Sequence, residues 1–167
     1  MPDRAFELGL SLLASGSRPA SVQTLHAETE VPTPLDETFA FFSAATNLER
    51  LTPPWLNFRI RTPQPIDMRV GTLIDYQIVL YGVPIPWRTR IDAWEPGVRF
   101  VDRQLAGPYV WWHHEHRFEA TARGTRVIDH VEFVPRLSLL TSAFVKRDVS
   151  RIFEFRQRAL SLQLSHT

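Results

Sequence analysis

Residues 55–134 alternate strand-forming runs with tight turns, and this pattern limits the fold more than any other feature of the chain. The run WLNFRIRT comes first, and further runs cover residues 72–81, 84–94, 98–106, 109–121 and 125–134. The turn residues between them are Gly82, Pro96 with Gly97, Gly107 with Pro108, and Gly124. Turn residues at such short intervals predict an antiparallel meander.

The flanking segments complete the predicted fold. Alternation from about residue 22 to Val31 predicts a half-buried first strand. Two short helices follow, LDETFAFFSAA and NLERLTPP, and prolines end the second. Residues 137–164 lack proline and glycine and repeat apolar residues at helical spacing, Leu140 among them, which predicts one long C-terminal helix. We expect an α+β fold in which a curved antiparallel sheet of about seven strands wraps around this helix and leaves a gap. The solvated face of the helix is expected to carry Arg147, Arg151, Arg156 and Arg158.

Composition indicates a soluble protein with one main domain and excludes several partners. We divide the 167 residues into an extension, residues 1–20, and a domain, residues 21–167. A formal net charge of +1 is too small to drive binding to nucleic acid or anionic lipid. The apolar run at 8–14 is too short for stable membrane insertion, and residues 3–14 have the spacing of a short amphipathic helix before the linker SGSRPAS. The absence of cysteine is compatible with the cytoplasmic location that we expect.

Four stretches of the chain resemble a known superfamily. NLERLTPPWLNFRI, GTLIDYQI, WRTRIDAWEP and FVDRQLAGPYVWWHHEHRFE are similar to START/SRPBCC helix-grip domains, and more narrowly to a bacterial, polyketide cyclase/dehydrase-like subgroup of ligand-binding proteins. The resemblance covers about residues 22–165. It implies a helix-grip fold with a cavity for a hydrophobic ligand, but one fold serves many functions and does not fix the activity.

The strands at 72–81 and 84–94 separate an apolar face from a charged one. If Tyr81 pairs with Pro84, Asp75 meets Arg90 on the outer face. We interpret the outer arginines, Arg88 and Arg90, as part of a solvated row of cross-strand charge pairs. The alternative is that they bind an anion. The inner face then contains Ile74, Tyr76, Ile78, Leu80, Ile85, Trp87, Thr89 and Ile91.

The stretch YVWWHHEHRFEAT, residues 109–121, combines histidines with aromatic residues, and its surroundings depend on the next turn. A three-residue turn brings His116 opposite His130 and His114 opposite Glu132, which would form a metal-binding cluster. A two- or four-residue turn instead gives two mainly apolar inner rows, which we favour. Those rows contain Trp112, His114, His116, Phe118, Val127, Asp129, Val131 and Phe133.

In the favoured arrangement a buried histidine pair lies near one carboxylate. An unpaired buried charge is expensive, so we expect Asp129 either to share a hydrogen bond with His116 or to be protonated. A shared hydrogen bond leaves the other imidazole nitrogen for a ligand oxygen. In a cyclase or dehydratase the same group could remove a proton beside a carbonyl, with Tyr76 as a hydroxyl donor. Two histidines and one carboxylate could also hold non-haem iron, but we favour a hydrogen-bonded pair and predict no metal and no cofactor. The turn before residue 109 permits either register, so the entry of Asp102 and Gln104 into the cavity stays open.

We therefore predict binding or transport of a small hydrophobic molecule, such as a lipid, a quinone or a polyketide-like compound. The alternatives are an aromatase/cyclase or dehydratase that uses His114, His116 and Asp129 for general acid–base catalysis, and an interaction domain with a filled core. The expected partner is the small molecule, and monomer and homodimer both stay open. The predicted ligand-binding residues are Tyr76, Trp87, Thr89, Trp112, His114, His116, Phe118, Asp129, Val131, Phe133, Phe144 and Ile152.

Overall fold

Seven strands and three α-helices form the part of the chain that the computed structural model describes, residues 3–136 and 142–165. The strands are β1 (Gln23–Val31), β2 (Arg59–Ile60), β3 (Leu73–Leu80), β4 (Val83–Glu95), β5 (Arg99–Ala106), β6 (Tyr109–Thr121) and β7 (Gly124–Pro135). The helices are α1 (Arg4–Leu12), α2 (Leu35–Ser43) and α3 (Ser142–Leu164), and short 3-10 helices lie at Ala45–Leu48 and Pro54–Leu56.

The strands form one antiparallel sheet in the order β1-β7-β6-β5-β4-β3-β2. Strands β2 to β7 each pair with the next strand in sequence. Strand β1 pairs with β7 and forms the other edge of the sheet. Helix α3 packs on the sheet beside β1, so the predicted α+β helix-grip fold is confirmed. The strand predicted in WLNFRIRT is shorter than expected, because Pro54–Leu56 forms a 3-10 helix and pairing is limited to β2. The predicted beginning of the long helix, with Leu140, lies outside the described residues.

Helix α3 buries its apolar stripe against two groups of side chains. One group, around Phe118 and Phe42, receives Leu160. The other, around Trp112 and Phe133, receives Phe153. The inner row of β6 places His114 and His116 in sequence between Trp112 and Phe118, so a polar patch lies between two apolar regions.

The β3–β4 hairpin differs from the predicted register by two residues. Leu80 pairs with Val83 across Tyr81 and Gly82, and both turn residues have positive φ, 52° and 81°. This is the two-residue turn whose twist suits a hairpin. Asp75 therefore lies opposite Arg88 rather than Arg90, and Arg88 donates two hydrogen bonds to it, at 2.6 and 2.7 Å. A two-residue shift preserves the faces, so the predicted inner row still points inward.

The β6–β7 hairpin has a two-residue turn, with Thr121 paired with Gly124. This places His116 directly opposite Asp129 and His114 opposite Val131. The three-residue alternative, which would have brought His130 and Glu132 to the histidines, is wrong.

The N-terminal segment lies against the sheet. The predicted short helix is α1, and Gly9 lets the Pro86 side chain approach so closely that a Cβ there would lie 2.7 Å from Pro86 Cγ. The predicted linker is hydrogen-bonded to the sheet, because Ser15 N–H donates to Leu105 O at 2.7 Å and Arg18 pairs with Glu132 at 2.8 and 2.9 Å. None of the described helices is long and apolar enough to cross a membrane.

The Arg18–Glu132 pair should make the docking of this segment dependent on pH. The hydrogen bond from Arg18 lowers the pKa of Glu132 to about 2. A lowered carboxyl pKa means that the stabilisation is present above about pH 4.5 and is lost as the pH falls towards 2. We expect Glu132→Gln to reduce hydrogen-exchange protection of the Ser15 and Gly16 amides roughly two- to fivefold near pH 6. The difference from the unmodified protein should shrink between pH 4.5 and 2; a difference that is constant with pH would contradict this account.

Candidate functional site

A cavity of about 180 Å³ lies between the inner face of the sheet, the segment after α2 and helix α3. Its apolar wall has contributions from all three, including Ile78 and Trp87 of the sheet, Leu51 of the segment, and Ile152 and Phe153 of α3. The predicted gap is therefore present, and a filled core does not describe this interior.

The polar end of the cavity is a compact group of two histidines and two aspartates. Asp102 Oδ2 lies 3.0 Å from His116 Nε2 and 3.7 Å from His114 Nδ1. On the other side of the rings, Asp129 Oδ1 lies 2.9 Å from both His116 Nδ1 and His114 Nε2. The alternation of β5, β6 and β7 brings these side chains together, because Asp102 pairs with His114 and His116 with Asp129. Each histidine therefore bridges two carboxylates.

Arg156 of α3 completes this group, contrary to its predicted place on the solvated face of the helix. Only 6% of the residue is exposed. Its Nε lies 3.4 Å from Asp129 Oδ2, close enough for an ion pair but without an aligned hydrogen bond. Its Nη2 lies 3.3 Å from His116 Nδ1, so its charge lies on the Asp129 side of the histidines.

The electrostatic environment shifts the pKa values of the two histidines in opposite directions. Burial, together with the nearby charge of His116, lowers the pKa of His114 to about 4. Burial also opposes the charged form of His116, but hydrogen bonds to Asp102 and Asp129 outweigh it and raise its pKa. Burial would raise the pKa of both aspartates as well, yet Arg156 and the histidines hold the pKa of Asp129 well below its usual value, and that of Asp102 is also lowered. The surroundings therefore favour charged aspartates and a neutral His114, and they favour the charged form of His116.

A second set of polar groups continues along the cavity wall. Trp87 Nε1–H donates to Thr89 Oγ1 at 3.1 Å, and the Tyr76 hydroxyl lies 3.2 Å from the same oxygen. Burial raises the pKa of Tyr76 well above its ordinary value, so it keeps its proton. The wall therefore offers hydroxyl groups beside the charged cluster.

The structure brings together part of the predicted ligand-binding set. The lining includes Tyr76, Trp87, Thr89, Trp112, His114, His116 and Ile152. Buried residues that are not part of the lining are Phe118, Asp129, Val131 and Phe133. Phe144 was placed wrongly: it is 45% exposed and lies against Tyr81, with ring centroids 5.9 Å apart, because the first turns of α3 extend past the cavity.

Two charged residues of the site were missed by sequence reasoning. Asp102 shares one face of its strand with Phe100 and Gln104, but the Gly107-Pro108 turn permits either register, so the sequence did not show whether that face is the inner one. Arg156 follows Phe153 by three residues and Ile152 by four, which is the spacing of one helical face. That spacing could have placed Arg156 at the cavity, as the structure does.

Comparison with known proteins gives the family of this chain. Residues 30–164 match the family model described as Domain of unknown function (DUF8410). The chain belongs to the DUF8410 family. No curated protein matches the DUF8410 chain by sequence.

Solved structures similar to this DUF8410 protein share its fold at low sequence identity. The Zhui aromatase/cyclase from Streptomyces sp. R1128 has a TM-score of 0.70 at 16% identity, covering 86% of this chain and 94% of its own. Protein CV1439 from Chromobacterium violaceum has a TM-score of 0.69 at 12% identity, with 86% and 99% covered. Ara h 8.0201 has a TM-score of 0.57 at 18% identity, with 84% and 98% covered. These likenesses show the helix-grip fold that the START/SRPBCC resemblance implied.

Proposed function

We propose that this DUF8410 protein binds a small, mostly apolar molecule with one or two oxygen groups, whose polar end meets the histidine–aspartate cluster. The observation that carries the proposal is the apolar cavity with polar groups gathered at one end. An apolar cavity of about 150 Å³ accepts benzene, so about 180 Å³ suits a guest of roughly one or two rings. Guest transport and a cytoplasmic location remain predictions.

The two aspartates at the polar end favour a neutral guest group. A carboxylate would add a third buried anion beside Asp102 and Asp129, which is costly without a further cation. A guest hydroxyl can instead donate to His114 Nδ1, and a guest carbonyl oxygen can accept from the Tyr76 or Thr89 hydroxyl, without adding charge. We therefore favour ketones, quinones and phenols over fatty acids as guests.

Filling the cavity should abolish binding. Ile152→Trp places an indole in the lining from a partly exposed position on α3, and we expect it to weaken capture of an environment-sensitive apolar dye at least about tenfold. Phe144→Trp, on the same helix but outside the lining, should bind the dye as the unmodified protein does. Dye titration, with native mass spectrometry for co-purified guests, measures both. Equal loss in the two variants, or no saturable site in the unmodified protein, would refute guest binding.

The second candidate function is catalysis by a cyclase or dehydratase, and one feature of the cluster favours it. His114 lines the cavity while Asp129 bonds to its Nε2, which orients the ring as a general base requires. One protein of the same fold, Zhui, is an aromatase/cyclase. The same native mass spectra separate a carrier from a dehydratase, because a carrier releases its guest at unchanged mass and a dehydratase releases it with one water lost; a cyclisation at unchanged mass is detected by chromatography of the released product.

A further inference from the structure

Three of the cavity-facing members of the cluster have the arrangement of metal ligands. One ligand atom from each of Asp102, His114 and His116 lies within 4.8 Å of the other two. The separations from Asp102 Oδ2 are 3.0 Å to His116 Nε2 and 3.7 Å to His114 Nδ1. Ligand atoms about 2.1 Å from a common ion lie roughly 3.0 to 3.4 Å apart, so small side-chain adjustments would bring all three into range. All three residues line the cavity.

The opposite ring nitrogens supply an independent observation. His114 Nε2 and His116 Nδ1 both lie 2.9 Å from Asp129 Oδ1, so one carboxylate can accept the N–H of both rings. Metal-binding histidines typically donate their second N–H to a carboxylate, which fixes the tautomer and orients the ring. Here that tautomer turns His114 Nδ1 and His116 Nε2 towards Asp102 as lone-pair donors.

Arg156 brings a positive charge close to this group, and its contacts lie on the Asp129 side of the rings. The guanidinium contacts Asp129 Oδ2 and the Nδ1 side of His116, on the far side of the rings from Asp102. It therefore balances the orienting carboxylate, while Asp102 remains available to balance an ion. In the metal-free chain His116 Nε2 lies 3.0 Å from Asp102 Oδ2, and an ion bound between them would take the place of the shared proton that such a contact requires.

We propose that Asp102, His114 and His116 bind one divalent ion of a first-row transition metal, of the zinc and iron(II) class, and that Asp129 positions the two imidazoles. Imidazole and carboxylate ligands suit these ions, and three protein ligands leave a coordination position for a guest oxygen from the cavity. This site replaces our expectation of no metal, and it does not depend on the guest-binding proposal.

Metal titration of untagged, chelator-treated protein tests the site. We expect one Zn²⁺ per chain, and one Fe²⁺ under anaerobic conditions, by calorimetry and native mass spectrometry. Co²⁺ should give the visible bands of a four- or five-coordinate ion. Asp102→Asn, which keeps the side-chain size and an acceptor for His116, should weaken Zn²⁺ binding at least about 100-fold, and Asp129→Asn about 10- to 100-fold.

A matched pair of double variants separates this site from an adventitious one. His26 lies 6.3 Å from His130 by ring centroids and 3.0 Å from the Glu28 carboxylate, outside the cavity lining. His26→Gln/His130→Gln should leave the bound ion and its Co²⁺ spectrum unchanged, while His114→Gln/His116→Gln should remove both. Thermal melts check that each variant is folded. Absence of stoichiometric binding in the unmodified protein, or loss in the His26/His130 variant alone, overturns the proposal. Dye binding by chelator-treated protein reports guest binding separately, so either proposal can fail alone.

Discussion

Asp129→Ala should lower the free energy of unfolding of the metal-free protein by about 3–5 kcal/mol, because it removes the anion that the buried cluster shares. Asp129 is 3% exposed and contacts His114, His116 and Arg156. Its loss leaves the Arg156 guanidinium without its carboxylate in the interior, where an unpaired charge is expensive. Urea denaturation at pH 7, with a chelator present, measures the effect.

Asp75→Ala is the matched control, since it also breaks an aspartate–arginine pair, here between two neighbouring strands at the surface of the sheet. The side chains of Arg88 and Asp75 are 28% and 22% exposed, so water replaces much of the lost interaction and we expect about 1 kcal/mol or less. Arg156→Met added to Asp129→Ala should recover part of the loss, because the unpaired charge is then gone. Equal losses in the two single variants, or no recovery in the double variant, would contradict the role assigned to Asp129.

The inner rows of β6 and β7 could be predicted from the sequence because strand alternation is a local property. Their apolar residues show which face is buried, and strand alternation then places His114, His116 and Asp129 on that same face. The length of the next turn then decides which residues are opposite, and an apolar row excludes a register that would turn it to solvent. This is why the His116–Asp129 contact was within reach of sequence reasoning.

Asp102 and Arg156 could not be matched with their partners in the same way, since each pairing depends on distant parts of the chain. The β4–β5 ladder has irregularities at Arg88/Thr89 and at Ile91/Ala93, and such bulges change the register without a clear sequence signal. Arg156 is charged and was assigned to solvent, because its partner Asp129 lies 27 residues earlier in the chain. Buried ion pairs contradict the rule that assigns polar residues to the surface, and only the fold reveals the partner.

Gly124→Ala should destabilise the protein by roughly 2–4 kcal/mol, through overpacking and backbone strain together. Gly124 has a φ of +138°, and a Cβ there would lie 2.1 Å from the carbonyl oxygen of Val31 and 2.7 Å from the carbonyl carbon of Pro32. Both neighbours are backbone atoms at the end of β1. That end is held by the buried hydrogen bond from Thr125 Oγ1 to Thr33 O, at 2.8 Å, so it cannot retreat easily.

Gly71→Ala measures the cost of backbone strain without the overpacking. Gly71 has a φ of +90° with no atom within 4 Å of an added Cβ, so the change carries backbone strain alone and should cost roughly 1 kcal/mol. Urea denaturation of both variants measures the difference, and equal losses would show that the contact with β1 is not restrictive. Gly124 follows the two-residue turn between β6 and β7, and this turn determines that His116 lies opposite Asp129. We therefore expect dye and metal affinity to fall in Gly124→Ala and not in Gly71→Ala. A glycine that touches neither guest nor ion thus sets the geometry of the site through the position of a turn.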